Sequence, residues 1–158
     1  MAHLQGLKDM RDDFEHFLVE MDVLFEDLDD ALASTPYAGP VAYDDASLAR
    51  IEKFYLDFLA GKIRIQVEPQ RMDRIVAAFY GEALRERRGA GTWVLAEDVH
   101  SEEYGTPVIH GWADGAMNFA PFVSCELQKS DRKPFIMGTI DYAVNLESIE
   151  ASFFDEFD

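Results

Sequence analysis

Leu7, Met10, Phe14, Phe17, Met21, Leu24, Leu28 and Ala31 recur at alternating steps of three and four residues, the period of one helix face. Leu18, Phe25 and Leu32 broaden this stripe beyond the narrow seam of a zipper. The spacing therefore predicts one long N-terminal helix laying a wide face on a core, with a helical pair across a homodimer as the second reading. Pro36, Gly39 and Pro40 close the segment. A second helix starts at Asp44 or Asp45, either a sound N-cap. It buries Leu48, Ile51, Phe54, Tyr55, Phe58 and Leu59, and ends at Gly61 as C′ residue. Ile63, Ile65 and Val67 then alternate with Lys62, Arg64 and Gln66, which predicts a short extended stretch.

Pro69 suits the first position of a third helix. Met72, Ile75, Val76, Phe79, Tyr80, Ala83 and Leu84 make it apolar on one broad side, and Ala77, Ala78 and Gly81 give another side on which a backbone can come close. Such breadth predicts the central, most buried helix. Downstream, strands are expected over 92–95, 107–112 and 117–120, with Asp114-Gly115 as a turn. Pro121 is placed at a helix start, because a central strand rejects proline. Phe119, Phe122, Val123 and Leu127 are then expected to share one face. A last helix over 135–144 leads into an acidic segment with Phe153, Phe154 and Phe157 as anchors. The expected fold is α+β: N-terminal helices and a central helix packed on a small antiparallel sheet, with C-terminal helices. Residues 1–158 form a single domain, with the long helix and loop over 1–40, the core over 41–146 and the acidic segment over 147–158.

Composition supports a packed domain. The chain has 158 residues, enough to bury a core without covalent staples. Its 48% apolar content separates it from a disordered acidic tail. The net charge of −17 is uneven. Residues 1–60 carry 14 acids against 4 bases and residues 96–158 carry 13 against 3, whereas residues 61–95 carry 4 against 7. This surface repels nucleic acid and anionic membranes and attracts a basic protein partner. Cys125 is the one cysteine, so no internal disulfide forms, and its apolar setting suits a structural thiol. The first residues lack the basic-then-apolar order of a leader, and no apolar run is long enough for a membrane helix, so a cytoplasmic location is expected.

Candidate chemistry is sparse. Glu97, Asp98, His100, Glu102 and Glu103 lack the spacing of a calcium loop or a zinc site and read as a solvated run. Gly89-Ala90-Gly91 follows a helix, so it does not cradle phosphate at a helix N-terminus. Neither metal nor cofactor is expected. Glu82, inside a largely apolar helix, needs a partner if buried. Arg85 at i+3 can supply it, which makes a structural pair. A general base is the other reading.

Tyr80-Gly81-Glu82, Arg85, Gly89, Gly91 and Trp93 together resemble a pattern found in small uncharacterised bacterial proteins. The resemblance spans about residues 63–123, where Asn118-Phe119-Ala120-Pro121 is similar to that family's N-P-F helix start, with Ala120 as a departure. It implies an α+β domain and no activity, although some such proteins sit beside toxin genes. Two functions are thus expected in turn. The first is a non-enzymatic interaction protein of the toxin-immunity or regulatory kind. The second is a small-molecule-binding protein or weakly marked enzyme with a pocket joining Glu82, Arg85, Trp93, Tyr104, His110 and Trp112. A conflict adds one more candidate surface. Asp27, Asp29 and Asp30 crowd the C-terminal end of the first helix, where the dipole disfavours acids. Either Arg85, Arg87 and Arg88 meet them within the fold or a partner does.

Overall fold

The computed structural model describes residues 2–134, 136 and 140, with side chains from residue 6 onward. The expectations over 135–144 and 147–158 therefore lie, except at Ile136 and Ile140, outside the described residues. The described residues form an α+β fold of five helices and a two-stranded antiparallel sheet.

The expected long N-terminal helix is two helices, α1 (Ala2–Val19) and α2 (Met21–Ala33). They meet at Glu20, whose backbone leaves the helical region at φ −86° and ψ 4°. Its amide still reaches His16 O at 3.0 Å, and its carbonyl still accepts from Leu24 at 2.9 Å. The apolar stripe runs through this bend, which is why periodicity alone reads one helix. Phe17, Leu24, Leu28, Ala31 and Leu32 are buried, while Leu18, Val19 and Val23 face solvent.

Helix α3 (Asp45–Leu59) is capped by Asp44, whose side chain accepts from the Ser47 amide at 2.8 Å. Gly61 follows it at φ +74°, the left-handed conformation expected of C′. Residues 62–67 alternate between exposed and half-buried, but they pair with no strand. Helix α4 (Pro69–Arg88) begins at the expected proline and is the centre of the molecule. Every residue from Ile75 to Gly81 is buried. Helices α2, α3 and α5 (Pro121–Asp131) all pack against it.

The sheet consists of β1 (Thr92–Leu95) and β2 (Pro107–His110), with Trp93 opposite Ile109. Strand β2 stops short of the expected residue 112 because Gly111 takes φ +72°. The expected third strand is reduced to one bridge between Ile109 and Phe119. Helix α5 starts at Pro121 as expected, but it turns a different face inward. Pro121, Ser124, Cys125 and Gln128 are buried, and Leu127 is exposed. A buried polar partner on α4 draws Gln128 in, as described below.

Candidate functional site

The Tyr80-Gly81-Glu82 segment joins α4 to the hairpin. A Cβ at Gly81 would overlap the Trp93 ring, so only glycine lets the indole lie against the helix backbone. The Trp93 Nε1–H donates to Glu82 Oε1 at 2.7 Å. Arg85 donates to the same oxygen at 2.5 Å and, through Nε, to Gly91 O at 3.0 Å. Gly91 takes φ +117°, and a Cβ there would crowd Ile109. The Phe17 and Trp93 rings form an edge-to-face pair with centroids 5.1 Å apart. Glu82, Arg85 and Trp93 are thus brought together as a fastening between helix and strand, with both donors on one oxygen of Glu82. This arrangement suits a structural carboxylate.

A second polar cluster lies deeper. Tyr80 donates to Gln128 Oε1 at 3.1 Å, and Gln128 donates to Glu52 Oε2 at 2.6 Å. The same Glu52 oxygen accepts the Ile136 amide at 2.6 Å. Glu52 and Gln128 are almost fully buried. Burial raises the Tyr80 hydroxyl well above its ordinary value. Beside it, Tyr55 donates to Asp73 Oδ1 at 2.8 Å, and Lys129 pairs with Asp73 Oδ2. Cys125 is buried next to Asp73, and burial pushes its thiol up, away from the reactive thiolate. Sequence reasoning passed over Glu52 and Gln128. For Glu52 a signal was available: Leu48, Glu52, Tyr55 and Leu59 follow the same 4-3-4 step as a core stripe.

The arginines of α4 take other roles than expected. Arg71, near the start of α4, bridges Asp27 Oδ2 and Glu20 Oε2, both at 2.7 Å. Arg74 donates to Glu20 Oε1 at 2.8 Å and lies over the Phe17 ring. Burial pushes the Glu20 carboxyl up, but hydrogen bonds from Arg71 and Arg74 outweigh it and hold it below the usual carboxylate range. Arg85, Arg87 and Arg88 instead grip loop carbonyls, of Gly91, Tyr43 and Trp112 respectively. The expected meeting of Asp27, Asp29 and Asp30 with Arg85, Arg87 and Arg88 is therefore corrected. Asp27 is met by Arg71. Asp29 and Asp30 are exposed and make no hydrogen bond or ion pair among the described residues.

The remaining candidates do not converge. His110 is exposed, with Nδ1 2.8 Å from Asn118 Oδ1. Trp112 is buried beside Gly91 and donates to Met117 O at 2.9 Å. Tyr104 is half-buried in the loop after β1. Three surface clefts lie elsewhere, a fourth of 310 Å³ reaches Arg85, and none of these four is lined by Glu82, Trp93, His110 or Trp112. Among the described residues, these clefts do not join the candidates: Glu82 accepts from Trp93, and His110 is exposed. Among the described residues, no three His, Cys, Asp or Glu side chains gather as metal ligands would, and no helix is long and apolar enough to cross a membrane.

Two of the clefts flank the C-terminal half of α2. One, of 660 Å³, lies between α2, residues 64–68 and the start of α4, with Asp27 and Asp30 on its lining. The other, of 540 Å³, lies between α2 and residues 38–43, with Asp29 on its lining. Comparison of the chain with protein-family models, with curated proteins and with solved structures returned no match.

Proposed function

We propose that this chain is a non-enzymatic protein-interaction domain, of a regulatory or toxin-immunity kind, that engages a basic protein through the end of α2. One observation carries the reading. Asp29 and Asp30 stand exposed and unpaired where the helix dipole disfavours them, while Asp27, earlier on the same helix, is paired with Arg71. Charge left uncompensated at a cost within the fold gains its compensation from a basic surface. Such a contact forms fast and weakens with salt. A cytoplasmic location belongs to the same proposal, since a single buried thiol suits a reducing compartment.

The test is affinity capture from an extract of the organism that encodes the chain, at low and high salt, beside the Asp29→Lys/Asp30→Lys variant. A basic protein held by the wild type at low salt, released at high salt and not held by the variant is the expected result. Failure to hold any specific protein at either salt overturns the proposal.

A further inference from the structure

The 540 Å³ cleft is built before anything enters it. Phe25 on α2 and Val41 and Tyr43 on the loop are half-buried and form its walls, with Leu28 and Phe79 beneath. Tyr43 stacks on Phe79 at 5.7 Å. The loop backbone is held at four points. Arg50 donates to Tyr37 O at 3.0 Å and also to Pro40 O. The Ala42 amide donates to Ser47 Oγ at 3.1 Å, and Arg87 donates to Tyr43 O at 2.9 Å. A loop fixed in this way has already lost the freedom that binding would otherwise have to remove.

The lining is aromatic and aliphatic, and Asp29 is its one charged side chain. The neighbouring 660 Å³ cleft is different. It mixes Asp27, Asp30 and Glu68 with Arg64 and Arg71, and Arg71 is already engaged by Asp27 and Glu20, so it favours neither sign of ligand. Resting on the interaction-domain reading above, we infer that the cleft beside Asp29 seats the anchor of the partner: a peptide segment with a bulky apolar side chain next to a lysine or arginine. The apolar side chain displaces water from Phe25, Val41 and Tyr43 while the cation pairs with Asp29 at the rim. A second copy of this chain is the poorer occupant, because each copy carries −17 and would bring like charge to Asp29.

The probe is a phage-displayed random-peptide library selected on the full chain at low salt. Enriched peptides are then synthesised and titrated against wild type, Asp29→Lys and Ala33→Trp. Asp29 and Ala33 are exposed residues on the cleft, so both variants keep the fold, which their melting temperatures verify. Enriched peptides should carry a basic residue next to a bulky apolar one and lose about tenfold or more in affinity for each variant. Peptides that bind both variants as tightly as wild type overturn the inference, as does a concentration-dependent dimer that Ala33→Trp disperses. The two readings fail separately. A captured host protein that both cleft variants retain sinks the cleft and leaves the interaction domain standing, whereas an empty capture at both salts sinks the interaction domain itself.

Discussion

Glu82 and Asp29 are both helical carboxylates beside aromatic side chains, yet their surroundings differ. Glu82 takes hydrogen bonds from Trp93 and Arg85 and ties α4 to the hairpin. Asp29 takes none and stands exposed above a cleft with Phe25 and Tyr43 in its walls. Where donors are fixed around it, a carboxylate is part of the scaffold, and its removal strands those donors. Where none are, the carboxylate costs the fold a little through the dipole and is free to act outward. The difference separates a region that holds the fold together from the region proposed above for recognition.

The comparison can be broken at several points. The largest effect is expected from Trp93→Ala, which removes the indole that fills the space over Gly81 and leaves Glu82 with Arg85 as its remaining donor. Denaturant melts should show a loss of about 3–5 kcal/mol. A loss below about 1 kcal/mol would place Trp93 outside the scaffold. Next comes Gly81→Ala, whose new Cβ forces the indole away from α4. It should cost about 1–3 kcal/mol by overpacking. In the Trp93→Ala background the same change should be close to neutral, since the two share one contact.

Glu20→Gln comes third, at about 1–2 kcal/mol near neutral pH, because Arg74 loses its charged acceptor and Arg71 keeps only Asp27. This cost depends on pH. The Glu20 carboxyl is held below its ordinary range in the fold, so its contribution is present above the unfolded value of about 4.3 and is lost as pH falls through the lower folded value. The gap between wild type and Glu20→Gln should therefore close in acid, and a gap that stays constant would show that the arginines do not depend on the charge. The smallest effect is expected from Asp29→Lys/Asp30→Lys. Stability should move by no more than about 0.5 kcal/mol, in the stabilising direction, because lysine suits a helix C-terminus. A clear loss of stability would move Asp29 and Asp30 into the scaffold and erase the comparison.

Much of the scaffold was legible along the chain because its signals are local. Asp44, Gly61, Pro69 and Pro121 mark helix ends through their own backbone preferences, and all four stand where those preferences place them. The breadth of apolar residues in 72–84 likewise located the central helix. What was hidden depends on partners far apart in sequence. The bend at Glu20 preserves the apolar period, and its carboxylate is gripped by arginines 51 and 54 residues away. The inward turn of α5 follows from Gln128 meeting Tyr80 and Glu52, which a purely apolar reading of 119–127 could not weigh. The acids of α2 were expected to meet Arg85, Arg87 and Arg88, and they do not. Composition cannot say which end of a helix faces them, and it is Arg71, not Arg85 to Arg88, that answers Asp27.

The two tryptophans lie on the same side of this division. Trp93 is held by Glu82 and Trp112 by Met117 O, both indoles are buried, and neither lines the cleft beside Asp29. Intrinsic indole emission therefore watches the hairpin settle on α4, blue when seated and red when released to water. Events at the end of α2 are outside its view. A ligand entering the cleft would leave that emission almost still, so the chain's own fluorescence is a gauge of folding and a blind one for binding, and an optical readout of binding has to come from a dye on the peptide.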